Sequence, residues 1–138
     1  MAPSTRLAQR GKAYTALAVG AAVAATAVAY VGINDPHRPG ALFPPCPFKL
    51  LTGWNCPACG GLRMAHDVLH VNLSAAVVDN VFLLVGLPAL LAWVLWRRHT
   101  GQPSMTRTAM VVIITATIAW TVVRNMPGFP LVPTLYNG

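Results

Sequence analysis

Residues 13–33 read AYTALAVGAAVAATAVAYVGI, an apolar run without a charged side chain. At a rise of ~1.5 Å per residue, about 21 helical residues span roughly 31 Å, close to the ~30 Å hydrocarbon core of a bilayer. The run therefore predicts a first transmembrane helix over residues 13–33. The basic residues before it also suggest a signal peptide cleaved near residue 29, but such peptides have shorter apolar cores, of roughly 7–15 residues.

Two further apolar stretches predict a second and a third span. Residues 77–96 form the second, where we expect Pro88 to kink the helix because proline removes a backbone donor. Residues 106–124 form the third, which is short and threonine-rich. Arg107 and Arg124 lie at its ends, and we expect both guanidinium groups to snorkel toward water.

The charge distribution supports a membrane protein and argues against nucleic-acid binding. The chain is 55% hydrophobic and 9% charged, with ten Lys or Arg against three Asp or Glu. Its cations flank apolar segments rather than forming a patch interleaved with aromatic residues, and no site for a small-molecule substrate is recognisable. By the positive-inside rule, we expect the inner (plasma) membrane, a cytoplasmic N-terminus, and both the cysteine loop and the C-terminus outside.

The segment 34–76 between the first two spans predicts a proline-rich loop followed by an amphipathic helix. Prolines exclude a helix before residue 47, and His37 is expected to be exposed there. After Gly61, an apolar face alternates with a polar face at helical spacing, so the helix should lie in the outer interface. The apolar face holds Leu62, Ala65 and Leu69; the polar face holds Arg63, Asp67 and His70. Arg63 and Asp67 are expected to pair, and Asn72 and Ser74 to cap the next helix.

The sequence CPACG at residues 56–60, together with Cys46, is the chemically reactive part of the chain. Outside the membrane, Cys46 and either motif cysteine could form a disulfide that staples the loop. Alternatively, Cys56 and Cys59 could exchange disulfides, because a cysteine near a helix N-terminus has a lowered pKa. A third interpretation is a zinc site of the three cysteines with His66 or His70.

The cysteine region resembles a bacterial family of small integral-membrane proteins of unknown function. Its signature is C-P…L-T-G-x-x-C-P-x-C-G-x-T-R-A, and the similarity covers about residues 43–92. The resemblance implies importance for Cys56, Pro57, Cys59, Gly60 and Arg63, but it implies no reaction. This chain has Leu62 where the family has Thr and Met64 where it has Ala.

Two surfaces suggest protein partners. The spacing of Ala16, Gly20 and Ala24 in the first span permits close approach of another helix. The tail 126–138 is proline-rich and apolar, and its Phe129, Leu131 and Tyr136 should pack either on the chain itself or on a partner.

The predicted fold is therefore a single domain, an all-α membrane protein with three transmembrane helices. An amphipathic interfacial helix and a Cys/Pro-rich loop lie between spans one and two. The leading functional hypothesis is a non-enzymatic accessory or assembly subunit of a larger membrane complex, for instance a respiratory one. The alternatives are a membrane thiol-disulfide oxidoreductase and a metal-stabilised scaffold.

Overall fold

The computed structural model describes residues 3–38, 40 and 43–131, and in these residues the fold is entirely helical, as predicted. Three of the helices are long and apolar enough to cross a membrane. In chain order the helices are α1 (Pro3–Ile33), α2 (Pro47–Thr52), α3 (Gly61–Leu69), α4 (Leu73–His99) and α5 (Arg107–Arg124).

Helix α1 belongs to one compact unit, and the chain from Asp35 onward forms a second unit. Within α1, the hydroxyls of Thr15 and Thr26 donate to the carbonyls of Gly11 and Ala22, at 3.0 and 2.9 Å. These bonds satisfy the two hydroxyls inside the helix itself, which lets threonine occupy an apolar span. Ala16, Gly20 and Ala24 are exposed along α1.

Helix α2 lies in the Cys/Pro-rich loop that the sequence predicted between the first two spans. It begins after Cys46 with Pro47 in the first turn, where a missing amide hydrogen costs nothing because that position has no intrahelical acceptor. It ends at Gly53, whose φ of 74° is the left-handed conformation that favours glycine. Helix α2 therefore fixes the position of Cys46 at its N-terminal end.

Helix α3 turns its polar side toward the protein. Its buried residues are Met64 and Asp67, whereas Leu62 and Leu69 are each 46% exposed. The predicted helix is present, and Asp67 of its polar face is buried because α3 packs against α4. Asn72 caps α4 as predicted, since its side chain accepts a hydrogen bond from the Ala75 amide at 3.3 Å.

Helix α4 is broken at Asn80 rather than at Pro88. Asn80 has the extended dihedrals φ −163° and ψ 81°, the one non-helical pair within α4, and the helix continues through Pro88. Leu83 replaces its lost backbone bond by donating from its amide to Asn80 Oδ1 at 3.0 Å. The kink therefore has a specific side chain that stabilises it.

Helix α5 packs against α4 and against the beginning of the tail. The rings of Phe82 and Trp120 stack at 5.7 Å, and Phe129 meets Trp120 edge-on at 5.9 Å. The tail thus returns to its own helix at Phe129, and Leu131 is half-buried. Tyr136 lies outside the described residues. The expectation that Arg124 snorkels is wrong, because its side chain is buried with only 1% exposure.

The close approach of α3 to α4 can be tested at Gly61. A Cβ at this position would lie 2.9 Å from Leu83 Cδ1, whereas a Cβ at Gly86 would meet nothing within 4 Å. Gly86 lies inside α4, where Gly→Ala gains about 1 kcal/mol of helix propensity. Gly61 is the first residue of α3, where the gain is smaller, and an added side chain must displace the end of the Leu83 side chain, more so for Val than for Ala.

We expect Gly86→Ala to raise the thermal unfolding temperature in detergent, and Gly61→Val to lower it. Gly86→Val serves as the size-matched control, since it places the same side chain at an open position. Equal unfolding temperatures for the two valine variants would contradict the packing of α3 on α4.

Candidate functional site

The three cysteines come together where α2 and α3 begin. Cys56 and Cys59 lie on a tight turn in which the Cys59 amide donates to the Cys56 carbonyl at 3.1 Å. Gly60 follows with a φ of 81°, a conformation that lets the chain enter α3 at once. The sulfur atoms of Cys46, Cys56 and Cys59 all lie within 4.8 Å of one another. This set is called the thiol cluster below.

The thiol cluster consists of free thiols, with two sulfurs in unusually close contact. Cys56 Sγ and Cys59 Sγ are 2.8 Å apart, and the Cys56 amide donates to Cys59 Sγ at 3.1 Å. The predicted staple through Cys46 is therefore not formed in the structure, and it stays a prediction. Cys46, Cys56 and Cys59 are close to one another in the sequence, and the fold also brings their sulfur atoms close together in space.

Asn80 holds the cysteine turn from the side of α4. Its side chain is fully buried, and Nδ2 donates to the carbonyls of Pro57 and Cys59, each at 3.0 Å. These contacts explain the break in α4, because only a non-helical residue at position 80 brings its amide toward the turn while still capping Leu83. At this interruption of α4, the Asn80 side chain therefore bonds the cysteine turn.

Arg124 holds the same turn from the end of α5. Its Nη1 donates to the carbonyls of Cys56 and Cys59, at 2.9 and 3.0 Å, and its guanidinium lies 5.3 Å from the centre of the Trp120 ring. Its Nε and Nη2 are buried and find no hydrogen-bond acceptor among the described residues. A buried guanidinium with unused donors is costly unless negative charge lies close by.

A reciprocal amide pair completes the support of the turn. The Asn55 amide donates to Asn125 Oδ1 at 2.8 Å, and Asn125 Nδ2 donates to the Asn55 carbonyl at 2.9 Å. Lys49 of α2 donates to Asn55 Oδ1 at 3.1 Å. Helices α2, α4 and α5 therefore all contribute side chains that fix residues 55–59.

The thiols differ in acidity because their surroundings differ. A hydrogen bond from the Lys49 backbone amide, at the start of α2, lowers the pKa of Cys46 below its ordinary value. Burial raises the pKa of Cys59 to about 12. In the metal-free protein, Cys46 is consequently the better nucleophile, and Cys59 stays protonated.

The thiol cluster opens on a cleft of about 490 Å³. Three cations, Arg38, Lys49 and Arg63, line this cleft together with the cysteines, and its lining includes no acidic residue. A ligand of the sulfurs could therefore enter from outside, and the electrostatics of the entrance favour an anionic one. Arg63, which the family resemblance singled out, lies at this entrance; its predicted pairing with Asp67 stays a prediction.

Three of the four histidines, namely His37, His66 and His70, lie in a second cluster that shares no residue with the thiol cluster. The rings of His66 and His70 lie tilted by 33° with their centres 4.2 Å apart, and His66 Nε2 lies 3.8 Å from Asp35 Oδ1. His37 Nδ1 lies 2.9 Å from Asp35 Oδ1, and its Nε2 lies 3.1 Å from Asp79 Oδ2. The expectation that His37 is merely exposed is therefore wrong, because it connects the loop to α4.

The sequence pattern singled out the cysteines, Pro57, Gly60 and Arg63, and it did not single out Asn80, Arg124 or Asn125 as residues that support the cysteine turn. A polar amide inside an apolar span, at position 80, was the available signal. Arg124 and Asn125 gave no local signal, because a basic residue at the end of a span usually marks an interface. The structure also separates His66 and His70 from the three sulfurs, which form their group without a histidine.

Comparison with protein families gives a match over the cysteine region. Residues 46–94 match the model of a family described as a protein of unknown function (DUF2752). The matched stretch contains α2, α3, the thiol cluster and most of α4, and it ends before α5. Over these residues the chain is similar to an uncharacterised family, as the sequence analysis expected. Comparisons with curated proteins and with solved structures give no match.

The difference in acidity predicts the order in which the thiols react. In metal-free protein at neutral pH, iodoacetamide should alkylate Cys46 well before Cys59, because the Cys46 pKa is lowered and the Cys59 pKa is raised to about 12. Peptide mapping after timed alkylation measures the order. Raising the pH should narrow the difference as Cys59 ionises. Preferential alkylation of Cys59 would contradict the assignment.

Proposed function

We propose that the chain is a small membrane protein whose thiol cluster binds one thiophilic metal ion, with zinc as the leading candidate. The observation that supports it most is the mutual approach of three sulfurs within 4.8 Å at the edge of an open cleft. Thiolate ligands select zinc, copper(I) or iron among biological metals. Three protein ligands with a vacant position are typical of zinc sites that take an exogenous fourth ligand.

The spacing of the sulfurs suits such an ion after a small adjustment. With Zn–S bonds of about 2.3 Å, two sulfurs of a tetrahedral site lie roughly 3.8 Å apart. The upper bound of 4.8 Å among the three sulfurs is close to this value. Cys56 and Cys59, now 2.8 Å apart, would have to separate by about 1 Å, which rotation of their side chains supplies.

The charge of Arg124 also supports a metal thiolate. Zinc with three thiolates has a net charge of −1, which the adjacent guanidinium would balance. The guanidinium donates to the carbonyls of Cys56 and Cys59, so its charge lies beside the turn that carries two of the three sulfurs. Metal binding would also remove the proton from Cys59, whose pKa of about 12 keeps it protonated without a metal.

The proposed physiological role is that of an accessory or assembly subunit in a larger membrane complex, such as a respiratory complex. The exposed small residues of α1 support this role, since they offer a thin helix surface for another membrane protein. The proposed orientation follows from the cations and puts the thiol cluster on the outer side. Gentle solubilisation of native membranes followed by sizing tests the role: migration as a single small protein without a co-purifying chain would contradict it.

Cobalt substitution tests the metal site directly. Co²⁺ bound by thiolates gives an intense sulfur-to-metal charge-transfer absorption that oxygen and nitrogen ligands do not give. We expect this absorption in the intact chain to saturate at one thiolate-bound Co²⁺ per protein, and we expect Zn²⁺ to abolish it by displacement. Cys59→Ser should remove most of the absorption, because two sulfurs alone bind the ion weakly.

His66→Ala is the informative control for the cobalt experiment. The structure places His66 apart from the sulfurs, so the charge-transfer absorption should be unchanged in this variant. Weaker Co²⁺ binding and a shift of the metal d–d bands in His66→Ala would instead support a site of three cysteines with His66, one of the two histidines that the sequence suggested. Absence of the band in the reduced, intact chain would contradict the metal proposal altogether.

Thiol-disulfide exchange is the second candidate, and the 2.8 Å contact between Cys56 and Cys59 favours it. Oxidation of these two thiols would form one disulfide and release two electrons and two protons to a disulfide substrate, which becomes two thiols. Cys46, whose pKa is lowered, would attack the Cys56 sulfur of a mixed disulfide, which releases the second substrate thiol and forms a Cys46–Cys56 disulfide. Cys59 would then displace Cys46, which returns to a free thiol, and the Cys56–Cys59 disulfide remains. Mass measurement after alkylation separates the two functions: the exchange enzyme cycles between one and three free thiols with the redox buffer, whereas the metal protein keeps three.

A further inference from the structure

Every acidic residue of the chain lies in one corner of the molecule. The sequence has three Asp or Glu residues in total, namely Asp35, Asp67 and Asp79. All three carboxylates lie within 4 Å of a histidine nitrogen: Asp35 beside His37 Nδ1, and Asp67 and Asp79 beside His37 Nε2. In a chain with ten Lys or Arg, all three acidic side chains therefore lie around the imidazole of His37. This group is called the carboxylate corner below.

Two carboxylates and one ring nitrogen of this corner are spaced as ligands of a single ion. His37 Nε2 lies 3.1 Å from Asp79 Oδ2 and 3.6 Å from Asp67 Oδ2, and the ligand atoms of all three lie within 4.8 Å. Zinc bonds of about 2.1 Å to nitrogen and oxygen place the ligand atoms of a tetrahedral site roughly 3.4 Å apart. The two measured separations bracket this value.

Burial shows that the corner is not simply solvated. Asp67 is 6% exposed and Asp79 is 5% exposed, so both carboxylates are almost wholly removed from water. Asp67 Oδ2, the atom that faces His37 Nε2, is buried and makes no hydrogen bond among the described residues. An ionised carboxylate oxygen left in this state is strongly unfavourable unless a cation contacts it.

Asp35 orients the imidazole for such a cation. The Asp35 Oδ1 atom accepts a hydrogen bond from the His37 backbone amide at 2.9 Å and lies 2.9 Å from its Nδ1. A proton on Nδ1 therefore points to Asp35, which leaves the lone pair of Nε2 directed at two carboxylates. Histidines that bind metals usually donate their other ring nitrogen to a carboxylate in this way.

We propose that His37 Nε2, Asp67 Oδ2 and Asp79 Oδ2 bind a divalent cation of the zinc and manganese type. One imidazole and two carboxylates form a harder ligand set than the thiol cluster, so the two sites would prefer different ions. The cation links the start of the loop after α1 with α3 and α4, since its three ligands come from these three segments. This site is independent of the proposed thiolate site and shares no residue with it.

Manganese is the probe that separates the two sites, because Mn²⁺ favours carboxylate and imidazole over thiolate. Titration of the full chain in detergent, followed by the loss of the free Mn²⁺ electron paramagnetic resonance signal, should show one saturable site. Asp79→Asn should weaken binding at least tenfold. Asp35→Asn, which alters the orienting partner and no ligand, should weaken it by about 10–100-fold.

Two controls make the manganese result specific. His99→Ala removes an exposed histidine at the far end of α4, and Cys46→Ser removes a sulfur; both should leave Mn²⁺ binding unchanged. Each variant is accepted only with helical circular dichroism and elution matching the parent chain. Asp35→Asn keeps the test valid if Asp79→Asn does not fold, because Asp35 is about one-third exposed.

Absence of saturable Mn²⁺ binding in the parent chain would overturn this inference and would mean that a proton on His37 Nε2 alone bridges the carboxylates. Unchanged affinity in Asp35→Asn would overturn it as well. Neither result bears on the thiol cluster, which the cobalt charge-transfer band reports separately. Conversely, loss of that band with retained Mn²⁺ binding would remove the proposed function and leave the carboxylate corner standing.

Discussion

The buried guanidinium of Arg124 constrains the rest of this structure. It donates to the carbonyls of Cys56 and Cys59 at about the same distances, 2.9 and 3.0 Å, and so clamps both ends of the cysteine turn. A cation this deeply buried is tolerated only where its donors are used and opposite charge is near. The carbonyls of the cysteine turn accept from Nη1 but leave the other donors of Arg124 unused, and ionised sulfurs would supply the opposite charge. Arg124 therefore links the end of the apolar helix α5 to the turn that carries Cys56 and Cys59.

Asn80 provides the complementary constraint from α4. By leaving the helical conformation, it gives its amide donors to the Pro57 and Cys59 carbonyls and its acceptor to Leu83. The turn thus has its carbonyls bonded from two helices, while its sulfurs remain directed at the cleft. Rigid support of the backbone combined with accessible side chains is the arrangement that a preformed ligand site requires.

The distribution of charge differs from that of an ordinary soluble domain. The apolar side chains of α1, α4 and α5 are largely exposed, and the fully buried large side chains are Arg124 and Asn80. Such a protein has polar groups in its interior and apolar groups outside, as expected for helices surrounded by lipid. The buried polar groups then fall into two sets, one at the sulfurs and one around His37.

Sequence patterns predicted the helices well, and they predicted the partners of the polar groups poorly. Apolar runs fixed the three long helices because length and hydropathy are local properties, and Asn72 was recognised as a cap for the same reason. The contacts of Arg124 and His37 cross 65 and 42 positions of the chain, so no window of sequence contains both partners. The predicted kink at Pro88 is wrong, because α4 continues through this proline. The helix is interrupted at Asn80 instead, where the side chain bonds the distant cysteine turn.

Hydrogen-deuterium exchange over residues 56–61 in Arg124→Gln tests the central claim most directly, that buried side chains of α4 and α5 hold the thiol cluster in place. The account predicts faster exchange of the Cys59 and Gly61 amides in this variant, because the turn loses two charge-assisted bonds. Arg107→Gln, at the opposite end of α5, should leave exchange in this segment unchanged. Equal protection of residues 56–61 in the parent chain and in Arg124→Gln would contradict the account.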